Sequence, residues 1–122
     1  MTKVILVVED EPKNLKLVCD LLQACGYTTI EATDGKQGVE LAKARKPDLI
    51  LMDIQMPVMD GLEATRILKA DTTTKDIPVL ALTSYAMKGD EERILEAGCN
   101  GYLAKPFDIQ ELLKEVGKYF LE

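Results

Sequence analysis

The sequence predicts an α/β fold of five successive βα units, (βα)5, with a five-stranded parallel sheet between two layers of helices. Three observations carry this reading. Short apolar runs alternate along the chain with longer stretches of helical periodicity. The first run, Val4-Ile5-Leu6-Val7-Val8, is unbroken and rich in β-branched residues, the pattern of a strand buried on both faces. Capping signatures stand where helices should open, Asp60 with Glu63 and Asp108 with Glu111.

The elements follow in order. Strands are expected at 4–8, 27–32 (the weakest pattern), 49–52, 79–82 and 101–104. Leu15, Val18, Leu22 and Cys25 recur at helical spacing, with Pro12 near the start of that helix and Gly26 just past its end. Asp34 precedes a second helix over roughly 35–44, closed by Pro47. The third opens at Asp60 and carries Leu62, Ile67 and Leu68; the fifth opens at Asp108 and carries Ile109, Leu112, Leu113, Val116 and Phe120. The fourth, about 86–97, is the odd one. It begins on the polar run Lys88-Gly89-Asp90-Glu91-Glu92-Arg93, contains a helix-weakening glycine, and has a thin apolar face of Met87, Ile94 and Leu95. Strands alternating with helices imply right-handed crossovers, and ligands in such sheets bind outside the C-terminal strand ends.

Composition narrows the function. The 122 residues suit one domain, and no apolar run approaches the roughly 20 residues of a membrane-spanning helix. The start, Met1-Thr2-Lys3-Val4, lacks the features of a signal peptide, so a cytoplasmic location is expected. Fifteen basic against 21 acidic residues leave a net charge of −6, which disfavours direct contact with nucleic acid. Cys19, Cys25 and Cys99 match no zinc-binding spacing and are expected to be buried, reduced thiols. The chain has no histidine, which excludes His-based metal sites, Ser-His and Cys-His catalysis and a phosphohistidine of its own.

The chemistry lies at the strand ends. Glu9-Asp10-Glu11 follow the first strand, Asp53 the third, Thr83 the fourth and Lys105 the fifth. Singly, each has an ordinary reading: acids at a helix start, a turn cap, a strand-end hydroxyl, a solvated lysine. Together, at equivalent ends of neighbouring strands, they bring carboxylates, a hydroxyl and an ammonium to one patch. Clustered carboxylates repel unless a cation sits among them, and hard oxygen donors suit Mg2+. A carboxylate beside that metal and an ammonium is equipped to attack phosphorus, with Lys105 and the Thr83 hydroxyl meeting the charge on the phosphoryl oxygens.

At these residues the sequence resembles the receiver-domain family of two-component response regulators. The matching segments are Val7-Val8-Glu9-Asp10-Glu11, Met52-Asp53-Ile54-Gln55-Met56-Pro57-Val58-Met59-Asp60-Gly61, Leu82-Thr83-Ser84 and Gly101-Tyr102-Leu103-Ala104-Lys105-Pro106-Phe107. The resemblance covers the whole chain, 1–122. It implies a flavodoxin-like three-layer fold with strand order 2-1-3-4-5. It implies that Asp53 accepts a phosphoryl group from a histidine kinase or phosphotransfer protein. Asp10 would hold Mg2+ directly and Glu9 mainly through water, with Asp53 and the backbone carbonyl of Gln55 as further ligands. Lys105 would bond the phosphoryl group, as would the backbone around Ser84. Thr83 would swing toward it and Tyr102 turn inward behind, and the Lys105–Pro106 bond would be cis. Pro57 and Gly61 would hold the loop beside Asp53.

On this reading the protein is a switch that assists its own phosphorylation and dephosphorylation, and signals to a downstream protein by contact. No output domain is expected after Glu122. The segment Tyr85-Ala86-Met87-Lys88-Gly89-Asp90-Glu91-Glu92 is similar to single-domain regulators of cell division and chemotaxis. Rival readings fit less well. A haloacid-dehalogenase-type hydrolase needs a second Asp where Gln55 stands. A flavin carrier needs a phosphate-binding loop where Glu9-Asp10-Glu11 would repel the cofactor. An inactive binding module would have lost a carboxylate or the lysine.

Overall fold

A computed structural model of the chain describes residues 2–56, 58–84 and 88–120, the side chains of 88 and 89 apart. Its elements are β1 (Val4–Val8), α1 (Pro12–Ala24), β2 (Thr28–Ala32), α2 (Gly35–Arg45), β3 (Leu49–Asp53), α3 (Gly61–Ala70), β4 (Val79–Thr83), α4 (Lys88–Glu96), β5 (Gly101–Ala104) and α5 (Ile109–Lys118). All strand pairs are parallel and the sheet order is β2-β1-β3-β4-β5. This is the flavodoxin-like α/β architecture that the alternation of elements and the family resemblance implied.

Strand alternation divides the core in two. Ile5 and Val7 of β1 point to the side of α1 and α5, where they meet Leu15, Val18, Leu22, Leu112 and Val116. Leu6 and Val8 point to the other side, where Val39, Leu62, Leu68 and Ile94 of α2, α3 and α4 cover the sheet. Buried on both faces, β1, β3 and β4 need no polar alternation, and their sequences have none until Asp53 and Thr83 close β3 and β4.

Helix starts are fixed by side chains. Glu11, Asp34 and Asp60 accept backbone N–H bonds at the first turns of α1, α2 and α3, and at α5 both bonds of the Asp108–Glu111 capping box are formed. Gly61 is required by contact: a Cβ there would collide with the backbone carbonyl of Asp53, so α3 can start against the end of β3 only with glycine.

Three expectations need correction. Cys19 and Cys99 are buried, but Cys25 is exposed. It follows the last turn of α1 as its C-cap, and Gly26, with φ +91°, turns the chain away, so the helical stripe ends at Leu22. Leu95 is 52% exposed; α4 buries Ile94 instead, with Ala97 just past its end. Ile109 is exposed because it opens α5 before the helix reaches the sheet. Pro57, and residues 85–87 of the 85–92 segment that suggested a regulator subgroup, Met87 among them, lie outside the described residues. Among the described residues, no helix is long and apolar enough to cross a membrane.

Candidate functional site

The sheet ladder runs past the strand ends and pins the backbone that carries the site. Glu9 N–H donates to Ala32 O at 3.0 Å, Ile54 N–H to Leu82 O at 3.0 Å and Lys105 N–H to Thr83 O at 2.7 Å. Between β1 and β3 the strand order reverses, because the chain leaves β1 for β2 and returns across it to β3. The crevice at that reversal is where a doubly wound sheet binds ligands. Glu9, Asp10 and Asp53 meet there.

One carboxylate oxygen of each of these three residues lies within 4.8 Å of the others. Glu9 and Asp53 are each 2% exposed, while Asp10 faces solvent. Lys105 Nζ approaches from β5, 3.3 Å from Asp53 Oδ1 and 3.5 Å from Glu9 Oε1. The Lys105–Pro106 peptide is cis. Glu9 Oε2 is buried with no hydrogen-bond partner among the described residues. Burial, a shared hydrogen bond with Asp53 and repulsion from its charge push the Glu9 carboxyl up to about 7, while Lys105 and Asn14 pull the other way.

An oxygen-only donor set, one orphaned carboxylate oxygen and a surplus of negative charge are what a hard divalent cation would relieve. The residues present therefore fit Mg2+. When bound, it supplies a double positive charge for a developing oxyanion.

Thr83 closes β4, buried, on the neighbouring strand to Asp53. Gln55 links the two. Its backbone N–H donates to Asp53 Oδ1 at 3.2 Å, its side-chain Nε2 donates to Thr83 Oγ1 at 3.2 Å, and its Oε1 accepts from Ser84 N–H at 3.2 Å. The sequence pointed to Gln55 only for its carbonyl; its side chain is a further member of the site. Nothing in spacing reveals this, since Thr83 is 28 residues away. Tyr102 sits in β5 opposite Ala81, on the α4 side, and its hydroxyl donates to the carboxylate of Glu91 in α4. Glu91 also went unnoticed as a site residue, hidden in a run of charges that reads as a solvated helix start.

Beside Glu9 and Lys105 an open groove of about 1030 Å³ runs between α1 and α5, lined in part by Asn14, Leu17, Phe107 and Ile109. Leu17 and Ile109 leave it an exposed apolar rim.

A family profile for the response regulator receiver domain matches residues 5–117. The polar-differentiation response regulator DivK of Brucella abortus is 47% identical over 119 residues, covering 98% of this chain and 97% of its own. Among solved structures, the receiver domain of a sensor histidine kinase from Pseudomonas aeruginosa superposes with a TM-score of 0.90 at 40% identity, covering 98% of both chains. That structure has a magnesium ion coordinated in its active-site cleft. The chemotaxis protein CheY4 of Vibrio cholerae superposes with a TM-score of 0.93 at 29% identity, covering 98% of this chain and 99% of its own. With the parallel sheet, the acidic crevice and its lysine already in place, these likenesses converge: the chain belongs to the response regulator receiver domain family, a phosphoacceptor switch rather than an enzyme in the ordinary sense, with an acidic pocket that fits Mg2+.

Proposed function

We propose that Asp53 is the phosphoacceptor, and that Glu9, Asp10, Asp53 and the backbone carbonyl of Gln55 hold the Mg2+. The observation that carries this is the meeting of three carboxylates with Lys105 at the reversal of strand order. An Asp53 oxygen attacks the phosphorus of a phosphohistidine; the new P–O bond forms as the P–N bond to the donor imidazole breaks. Lys105, 3.3 Å from Asp53, meets the charge on the transferred oxygens, and the Ser84 N–H is a further donor within reach of Gln55. Thr83 then leaves Gln55 for the phosphoryl group, and Tyr102 turns inward behind it.

Receiver domains are phosphorylated by histidine kinases. We extend this to a histidine kinase or phosphotransfer protein that reaches Asp53 along the α1–α5 groove, whose apolar rim suits a protein donor. The reading also takes 1–122 as one receiver domain acting in the cytoplasm, with a downstream protein as its target, neither nucleic acid nor membrane being contacted. The DivK likeness supports a target in the control of cell polarity.

The test is mass spectrometry after incubation with acetyl phosphate and Mg2+. The wild-type chain should gain one phosphoryl group, Asp53→Asn none, and Asp10→Asn should gain it more than tenfold more slowly because a metal ligand is lost. A full mass gain in Asp53→Asn would place the phosphate elsewhere and end the proposal.

A further inference from the structure

We infer that Glu91 is a positioning residue of the switch: by accepting the Tyr102 hydroxyl it holds that ring outward and sets how readily phosphorylation turns it in. The inference rests on the reading of Thr83 and Tyr102 given above, and adds a residue outside the phosphate site that opposes the change.

The geometry has two parts. Tyr102 and Ala104 occupy alternate positions on β5, opposite Ala81 and Thr83 of β4. Side chains two apart on a strand share a face, so Tyr102 and Thr83 lie on the same side of the sheet, where α4 packs. The Tyr102 hydroxyl reaches α4 and bonds Glu91, both residues being half-buried. A ring turned inward behind Thr83 carries its hydroxyl away from that helix, so the bond exists in one state only. A contact made in one state biases the equilibrium by its whole free energy.

The second part is the way α4 is held. Its described apolar anchors, Ile94 and the following Ala97, lie at its C-terminal end. The exit of the helix is also pinned, by Gly98 N–H to Leu95 O at 3.0 Å and Asn100 N–H to Val79 O at 2.8 Å. Glu91 is in the opposite, first turn. Its neighbour Asp90 is paired within the helix to Arg93 at 3.5 Å and does not compete for the tyrosine. Tyr102 therefore grips α4 at the end away from its pins, through a charge-assisted bond that is stronger than a neutral one.

The experiment is NMR on the full chain with labelled tyrosine, without ligand and with Mg2+ and beryllofluoride as a phosphoryl mimic. The Tyr102 signal is assigned through Tyr102→Phe. Glu91→Ala should raise the inward population of Tyr102 in the unliganded protein by roughly two- to tenfold, the factor of one net hydrogen bond. Phosphorylation by acetyl phosphate should accelerate by a similar factor, and the acceleration should vanish when Tyr102→Phe is already present. Glu91→Gln, which keeps an acceptor oxygen but loses the charge, should fall between the wild type and Glu91→Ala. Glu92→Ala removes an exposed charge from the same turn and should leave the ring where it is. If amide exchange finds α4 melted in Glu91→Ala, Tyr102→Phe cuts the same bond from the other side and should by itself accelerate phosphorylation. An unchanged Tyr102 population in Glu91→Ala, with the wild-type ring still turning on beryllofluoride, overturns the role of Glu91 alone. A wild-type ring that does not turn at all overturns both this inference and the switch reading beneath it.

Discussion

Glu9, a proposed Mg2+ ligand, is a carboxylate that the metal-free fold holds at a cost. It is buried against Asp53, and its carboxyl is pushed from 4.5 up to about 7, burial being the largest cause. The folded chain therefore holds a proton there that the unfolded chain gives up near 4.5. Stability from this group is full below 4.5 and is lost as pH rises through about 7. In EDTA, the wild type should lose stability relative to Glu9→Gln as pH goes from 5 to 8, with the steepest divergence in the lower half of that range, between the unfolded and folded values, and a levelling off above about 7. Parallel stability curves for the two proteins in urea titrations would contradict it. The identities of Glu9, Asp10, Asp53, Thr83 and Lys105 were legible in the sequence, because each follows a strand whose apolar run is plain. The side-chain roles of Gln55 and Glu91 were not, because their partners come from other strands at distances that no local pattern encodes.

Among the elements, legibility followed the strength of local signals. Strands β1, β3 and β4 announce themselves as unbroken apolar blocks, and α1, α3 and α5 by periodicity and caps. The end of α2 is less plain, and its structure exposes a local cost. Lys46 caps it in the left-handed region, φ 45° and ψ 66°, with its N–H bonded to Ala42 O. An exposed non-glycine residue gains nothing from that conformation, which costs about 1–2 kcal/mol, while glycine loses about 0.5–1 kcal/mol in chain entropy. Lys46→Gly should therefore stabilise the fold by about 0.5–1 kcal/mol, read as a higher urea midpoint at unchanged slope. A lower midpoint would mean that the Lys46 side chain contributes something its exposure does not suggest. Helix α4 was expected to be weakly anchored. Its anchors proved to be Ile94 and Ala97 rather than Leu95, a choice made by how the helix rolls on β5, not by the hydrophobicity of the residues.

At the scale of the whole molecule, metal binding and folding are one equilibrium. Glu9 and Asp53 lie 44 positions apart in the unfolded chain, so a Mg2+ site built on Glu9, Asp10 and Asp53 would exist in the native state alone. At free Mg2+ a hundredfold above its Kd, the native state should gain about 2.7 kcal/mol, several degrees in Tm for a domain of this size. Calorimetry should find that gain in the wild type and lose most of it in Asp10→Asn; an equal gain in both would put the metal elsewhere. The apolar blocks, caps and alternation of elements are properties of neighbours along the chain. The order of residues alone thus determined the (βα)5 class and the residues that could carry phosphoryl chemistry. It could not order the strands by its own periodicity, since every buried parallel strand looks alike, and that order came from family likeness until the register of the sheet fixed it. Tertiary structure alone decided that Lys105 stands 3.3 Å from Asp53, that Gln55 spans to Thr83, and that Tyr102 is held by Glu91. Each of these contacts depends on how strands and helices remote in sequence are packed against one another, and packing is a property of the assembled sheet rather than of any segment.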